Sequence, residues 1–416
     1  MSKSTLPIAA TVFVAAGASV WLACGSSTFS SGGDAGSQNV PPNCDARADP
    51  KDSPACVDDS IGLFVSPSGD DGNTGTKESP VQTIGRAVTK ADNQHDRVYV
   101  CSGTYAETVK LTGPISIYGG YSCSDWSYAG TAGGTGPKVV PSDTGYALDL
   151  EGVGAPATIE DLELDAQSGK NPGDSSIAVF ISKSSGPITL RRVIAVAGDG
   201  STGADAVVTM NYDGGEFLKG NAGVGDVGGA AHDCTSMCLN GLGSIGGKGG
   251  DANSPGGNGG PPLPPAPAGD DGAGGSGGSC NPHIGASGAI GDAGAPGAAI
   301  AGTLAASGWT ASVGDTGETG QAAQGGGGGQ GAATGSSDRG GGGGGCGGCG
   351  GAGGAGGGSG GSTFAVLVFQ SSVSLDTCIL QVGNGAAGAM GGLAQSGEVP
   401  DALTAGNPAG FLGCAG

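Results

Sequence analysis

The chain reads as an all-β protein built as a parallel β-helix, and three observations predict this. First, Tyr146 to Gly169 (YALDLEGVGAPATIEDLELDAQSG) recurs without a gap as Ile177 to Gly200 (IAVFISKSSGPITLRRVIAVAGDG), an offset of 31 residues. Ala147 falls on Ala178, Pro156 on Pro187, Thr158 on Thr189 and Gly169 on Gly200. The apolar positions coincide too: Leu148 with Val179, Leu150 with Ile181, Ile159 with Leu190, Leu162 with Val193, Leu164 with Ala195. Second, each copy holds two or three short runs of alternating apolar residues with no amphipathic helix between them. Hairpins of such runs would leave long edges exposed, whereas stacking each copy as one coil buries the inward positions in a continuous column. Third, a later copy, Phe364 to Gly385 (FAVLVFQSSVSLDTCILQVGNG), lacks only the counterparts of Gly186-Pro187. It sets Leu375 against Leu190, Cys378 against Val193 and Leu380 against Ala195.

Between the second and third copies lies a glycine-rich tract. Leu190 and Leu375 are 185 residues apart, and the tract Asp213 to Ser362 accounts for 150 of them, leaving about one coil. The tract is therefore predicted to be an insertion between neighbouring coils. It holds 57 of the chain's 94 glycines. Gly285, Gly288, Gly291, Gly294 and Gly297 fall at three-residue spacing, as do Gly314, Gly317 and Gly320, but Ile300-Ala301-Gly302 breaks a collagen register. Extended chains packed side by side would suit this spacing. The scarcity of apolar area to offset ordering entropy nevertheless makes irregular loops the expectation. Pro261 to Pro267 reads as a stiff spacer.

At the N-terminus, Met1 to Ala23 reads as an export signal, with Lys3 before an apolar run from Leu6 to Val20 that is too short to span a bilayer comfortably. Trp21-Leu22-Ala23-Cys24 resembles a bacterial lipobox, which implies a diacylglycerol anchor on Cys24; Gly25 at the next position implies the outer membrane. Residues 24–60, rich in Ser, Gly, Pro and Asp, read as a lipid-anchored tether whose distal end Cys44 and Cys56 could clip. The organisation that follows is a signal at 1–23, the tether at 24–60, a cap and first coils at 61–212, the insertion at 213–362, and a final coil and tail at 363–416.

Residues 64–121 carry Ser68-Gly69-Asp70-Asp71-Gly72-Asn73-Thr74-Gly75-Thr76, then Ser79-Pro80-Val81-Gln82-Thr83-Ile84, Val98-Tyr99-Val100-Cys101-Ser102-Gly103-Thr104-Tyr105 and Ile115-Ser116-Ile117-Tyr118-Gly119-Gly120-Tyr121. As a set these resemble the N-terminal capping segment of bacterial right-handed parallel β-helix proteins of the pectin-lyase-like superfamily. The resemblance implies the right-handed fold and a cap; that superfamily mixes lyases, hydrolases and non-catalytic surface proteins. The residues themselves predict a capping helix, with Ser79 as N-cap, Pro80 at the first helical position and an apolar stripe of Val81, Ile84, Ala87, Val88 and Ala91. Such a helix would cover the open end of the first coil. Gly103 and Gly119-Gly120 are expected at coil corners.

Function is less determined. A net charge of −21 argues against nucleic acid and leaves cations or neutral glycans as better partners. Twelve cysteines in an exported chain point to disulfides; Cys24 aside, the candidates are Cys44, Cys56, Cys101, Cys123, Cys234, Cys238, Cys346 and Cys349, with the pairing left open. His232, Asp233, Cys234 and Cys238 cluster, and Cys346 to Cys349 is a CxxC. Neither has zinc-ribbon or thioredoxin-like context, so disulfides pinning the insertion are preferred over a metal site or a redox pair. His95 and His283 are isolated and read as surface residues. Asp70, Asp71 and Asn73 offer hard oxygens for a glycan or a cation, as do Asp270-Asp271, and calcium is the one cofactor considered. Gly246 to Asp251 resembles the start of a calcium-binding nonapeptide but has no tandem copy. Polysaccharide cleavage would need paired carboxylates on one outer face. Asp161 and Glu163 with Arg191 and Arg192 come nearest, yet the 31-residue register stacks Glu160 on Arg191 and Asp161 on Arg192, a cross-coil salt-bridge ladder. The Asn-Thr-Asp, Gly-His-Gly and Arg-Ile-Lys signatures of polygalacturonase-like relatives are absent. The expectation is a non-catalytic cell-envelope lipoprotein, structural or adhesive, contacting glycans or another envelope protein and held to the membrane by lipid. The alternatives are a divergent polysaccharide lyase or glycoside hydrolase, and a calcium-dependent matrix protein.

Overall fold

Among the described residues, fifteen short strands form three parallel sheets. The computed structural model describes residues 40–131, 136–207, 216–238, 243–260, 291, 293–294, 302–333 and 339–397, all within one unit of the chain, Asn39–Gly416. The export signal, Cys24, the proline spacer, Asp270-Asp271, Cys280, His283 and Cys414 lie outside these residues.

After β1 (Gly62–Val65) the helix α1 (Ile84–Lys90) precedes β2 (Arg97–Cys101), β3 (Gly103–Tyr105) and β4 (Val109–Leu111). The cycle repeats as β5 (Ser116–Tyr121), β6 (Pro137–Val139) and β7 (Tyr146–Glu151), and then as β8 (Ala157–Glu160), β9 (Glu163–Asp165) and β10 (Ser176–Ser182). The next coil opens with β11 (Ile188–Arg191) and β12 (Ile194–Ala197) and then departs into the glycine-rich tract. Among its described residues that tract holds two hairpins, β13 (His232–Asp233) with β14 (Ile245–Gly246), and β15 (Gly302–Ala305) with β16 (Gly308–Ala311). The chain returns as β17 (Thr363–Phe369), β18 (Val373–Asp376) and β19 (Ile379–Val382).

The sheets run β1-β2-β5-β8-β11-β18, β3-β6-β9-β12-β19 and β4-β7-β10-β17, every coil pairing being parallel. This is a parallel β-helix, and its register is the one the repeat predicts. Leu148 pairs with Val179, Ile159 with Leu190 and Leu190 with Leu375. The insertion leaves at the corner between β12 and β17, and β17 lies directly on β10. Leu111, Leu150, Ile159, Leu164, Ile181 and Leu190 fill the interior in columns, all buried.

α1 caps the first coil, packing on β1, β2 and β4 with Ile84 and Ala87 buried. Its start differs from expectation. Thr83, not Ser79, is the N-cap, accepting from the Arg86 amide, because Val81 is drawn into a parallel bridge with Val65 and keeps the chain extended. Glu107 accepts the next two amides, Ile84 N at 2.7 Å and Gly85 N at 2.8 Å. Of the glycines assigned to corners, Gly103 opens β3 two residues after β2 ends, at φ 141°, where the chain turns from one sheet to the next. Gly119 and Gly120 instead lie within β5, where both face Val100 across a bulge that adds one residue to the strand.

Residues 40–60 are not a solvated tether. The Cys44–Cys56 disulfide folds them against the outer face of the β1-β2-β5 sheet, where Tyr99 donates to the Cys56 carbonyl at 2.5 Å and Arg97 to the Ala46 carbonyl at 2.7 Å. Val57, Phe64, Tyr99, Tyr121 and Trp126 form a small outer core there.

The described part of the glycine-rich tract is likewise not irregular. Residues 314–332 and 339–357 run antiparallel and bond at every third residue: Gly317 to Gly354, Gly320 to Gly351, Ala323 to Gly348, Gly326 to Gly345 and Gly329 to Gly342, all near 2.9 Å. Gly247 and Gly250 bond to Gly326 and Gly329, and Gly341 and Gly344 bond back to Gly250 and Gly247, so three segments satisfy one another. The three-residue period is that of polyproline II, a conformation that makes no hydrogen bonds within its own chain. The missing cohesion comes from glycine itself. A Cβ at Gly344 or Gly350 would collide with the carbonyls of Gly326 or Gly320. Hydrogen bonds between chains, rather than apolar burial, thus order the tract.

Candidate functional site

The strongest concentration of charge on the β-helix forms where β8, β11 and β18 lie side by side. In register, Glu160 sits beside Arg191 and Arg191 beside Asp376. One residue on, Asp161, Arg192 and Thr377 occupy the left-handed region, with φ of 53°, 52° and 56°, turning each coil from one sheet to the next. The N-terminal segment adds Asp49, so two guanidinium groups meet four carboxylates. Arg192 contacts Asp49 at 2.7 Å, Asp161 at 2.8 Å and Glu160 at 3.0 Å. Arg191 contacts Glu160 at 2.8 Å and Asp376 at 3.1 Å.

Burial sets the electrostatics. Glu160 is 2% and Asp161 3% exposed. Desolvation, reinforced by the nearby charge of Asp49, pushes the Glu160 carboxyl up to about 7 against the pull of both arginines. For Asp49 burial also opposes ionisation, but the Lys51 amide and Arg192 outweigh it and hold the group below the usual range. Arg192 stays charged because Asp161 and Asp49 more than offset its desolvation.

A shallow cleft of about 290 Å³ adjoins this cluster, bordered by Lys51, Lys77, Tyr121, Asp125, Trp126 and Tyr128. Tyr128 links the two, its hydroxyl lying against Asp161 and Arg192; burial, then the Asp161 charge, raises its pKa. Trp126 donates to the Lys77 carbonyl at 3.3 Å, and Lys77 lies 5.6 Å over the Phe64 ring. Aromatic faces beside amines and one carboxylate can hold a polar ligand with apolar faces, such as a sugar. The neighbouring carboxylates, bonded to arginine, do not present the free acid and base that glycoside hydrolysis requires.

The other predicted residues have local tasks. Asp70 accepts the Gly72 amide at 2.7 Å. Asp71 accepts the Gln82 and Thr83 amides at 2.9 and 2.8 Å and the Thr83 hydroxyl at 2.9 Å, while Asn73 donates to the Pro80 carbonyl at 3.0 Å. Asp71 and Asn73 thus tie the loop to the approach of α1, while Asp70 bonds within its own turn. Glu163 pairs with Lys138 at 3.0 Å, away from Arg192. Asp251 takes the Gly228 amide at 2.9 Å and Lys248 at 3.3 Å, which fixes the nonapeptide-like turn by protein contacts. His95 bonds Asp92 at 3.0 Å.

The cysteines pair as Cys44–Cys56, Cys101–Cys123, Cys234–Cys346 and Cys238–Cys349. His232, Cys234 and Cys346 lie close enough to share a metal, but the disulfide removes both thiolates. The CxxC cysteines bond to separate partners, so they form no dithiol pair. Two parts of the site escaped sequence reasoning. Asp49 looked like one acid in a polar tether, and only the Cys44–Cys56 spacing hinted that this stretch was held. Asp125-Trp126-Ser127-Tyr128 lies between strands and outside the repeat.

Comparison with known proteins gives a family of parallel β-helix type, described as "Protein of unknown function (DUF1565)", which matches residues 67–229. No curated protein and no solved structure matches the chain.

Proposed function

We propose that this protein is a non-catalytic, lipid-anchored component of the bacterial cell envelope, a rigid structural or adhesive scaffold that contacts glycans. The observation that carries the reading is the state of the carboxylate cluster: Glu160, Asp161 and Asp49 are each bonded to Arg192, which binds the N-terminal segment to the third coil. A ladder of this kind positions elements; it does not leave a nucleophile or a base facing substrate. Four disulfides support export. Among the described residues no helix is long and apolar enough to cross a membrane, in keeping with attachment through Cys24. The Lys51–Lys77–Trp126–Tyr128 cleft is the surface we assign to glycan contact.

The test is incubation of the purified chain with a panel of acidic and neutral polysaccharides, with and without calcium, scoring retention and new oligosaccharides separately. Retention that falls at least tenfold in Tyr128→Ala, with no product formed, supports the reading. Products that vanish in Glu160→Gln would instead make the protein a polysaccharide-cleaving enzyme. That second reading draws on the proton Glu160 retains up to about pH 7, a property of general acids. Incorporation of labelled fatty acid, lost in Cys24→Ser, tests the anchor; no incorporation in the parent chain rules it out.

A further inference from the structure

The two ends of the β-helix differ. At the first coil α1 covers the interior, while at the last coil β17, β18 and β19 are each the edge strand of their sheet. Leu375 and Leu380 continue the interior columns, level with Leu190 and Ala195, which are fully buried. Yet Leu375, Ile379, Leu380 and Val382 are between 47% and 59% exposed. Among the described residues nothing covers this end. Three open edges above an apolar interior are the arrangement that natural sheets avoid.

Cys378 stands in the middle of that surface, between the registers Arg191–Asp376 and Ile194–Ile379 and so level with the buried Val193. Its thiol donates to the Leu190 carbonyl at 3.2 Å. It is the one free cysteine among the described residues; eight others are paired. Whatever covers the end therefore meets a thiol at its centre.

We propose that residues 398–416 of this same chain dock on the open end of the last coil, with Phe411 and Leu412 on Leu375 and Leu380 and with Cys414 bonded to Cys378. Composition and reach favour this occupant. The segment reads Glu398-Val-Pro-Asp-Ala-Leu403 and, later, Gly410-Phe-Leu-Gly-Cys414, bringing two large apolar residues and a cysteine within four positions. Beyond β19, residues 386–395 run along 352–361, with Ala386 bonded to Gly361 and Gln395 to Ala352. At about 3.1 Å per residue this carries Gly397 roughly 40 Å from the coil, and the 17 residues from there to Cys414 span about 50 Å, enough to return. The bond forms by oxidation: the Cys378 and Cys414 S–H bonds break, one S–S bond forms, and a disulfide-form thiol oxidant accepts two electrons and two protons, becoming a dithiol.

The test uses the full chain purified from an oxidising compartment, alkylated at once and mapped without reduction; the mapping also reads Cys101–Cys123, which reports on the compartment. The expected result is a peptide joining Cys378 to Cys414. In Phe411→Asp/Leu412→Asp, amide exchange across residues 373–382 should then accelerate at least tenfold and dye binding to apolar surface should rise. Cys101–Cys123 formed with Cys378 alkylated, joined to Cys280, or joined to Cys378 of a second copy overturns the proposal. If every cysteine is alkylated, the export reading fails instead. Docking is then judged by exchange alone, and an unchanged rate in the double variant overturns it.

Discussion

At the scale of single residues, Glu160 shows how burial and pairing compete. In the unfolded chain its carboxyl ionises near 4.5, and in the folded chain desolvation and Asp49 hold the proton to about 7. Between these values the unfolded state binds fewer protons, so stability falls as pH rises, by at most about 1.4 kcal/mol per pH unit. Asp49 acts in the opposite sense: its folded pKa is depressed, so its contribution is complete above the unfolded value and is lost as pH falls through the folded one. Glu160→Gln keeps an oxygen for Arg191 and titrates nothing, so its melting temperature should be flatter than that of the parent between pH 4.5 and 7; an unchanged slope would assign the dependence elsewhere. Glycine gives a second contrast. Gly344→Ala drives a methyl onto the Gly326 carbonyl and should cost about 1–3 kcal/mol, whereas Gly154→Ala enters open space at an ordinary φ and should be neutral or gain up to about 1 kcal/mol. Thermal melts of the two variants, compared side by side, check both. The Glu160–Arg191 and Asp161–Arg192 pairs could be read from the 31-residue register, because in-register side chains of adjacent parallel coils are neighbours. Asp49 could not, since nothing local in its sequence encodes a partner more than a hundred residues away.

At the scale of elements, the strands followed from periodicity and α1 followed only in part. Alternation of buried and exposed positions is a property of the strand itself, so β7 to β12 are written in the repeat. A helix start depends on competition. Ser79-Pro80 has the residue types of an N-terminus, but the Val65–Val81 bridge keeps this stretch extended and moves the cap to Thr83. Thr83 receives an Asp71 oxygen on its amide, donates its hydroxyl to the other, and accepts from Arg86. Thr83→Ala should therefore destabilise the chain by about 1 kcal/mol, while Ser79→Ala, outside the helix, should have less than half that effect. Denaturant melts compare the two, and the reverse order would show that Ser79 caps the helix in solution. The polyproline-II-like segments were half visible: triplet spacing of glycine announced their period, but their order depends on three separate segments meeting, which no window of sequence contains.

At the scale of the whole molecule, the insertion and the β-helix are joined by more than the two crossings of the chain. Leu304 and Trp309, on the hairpin of β15 and β16, lie against Ile177, Phe180, Phe364 and Leu367 on the outside of the sheet that ends in β10 and β17. Trp309 meets Phe364 edge-on at 5.0 Å, and Tyr146 stacks on Phe180 at 5.0 Å. The glycine-rich body thus hides an apolar stripe that a bare β-helix would expose. Inside the insertion, Cys234–Cys346 and Cys238–Cys349 close loops of 112 and 111 residues and hold the hydrogen-bonded segments in register. The two layers make separable predictions. Replacing residues 198–362 with a loop as long as that between β9 and β10 keeps every pairing of β17 on β10, because those contacts lie wholly within the β-helix. The shortened chain should retain its β-type circular dichroism and the slow amide exchange of residues 176–191. It should also self-associate as its concentration rises, since Phe180 and Leu367 lose their cover. Phe180→Thr in the shortened chain should restore the monomer in sedimentation velocity. A shortened chain that stays monomeric without this change would show that the hairpin does not shield the stripe; one that loses its slow exchange would show that the β-helix depends on the insertion for its fold.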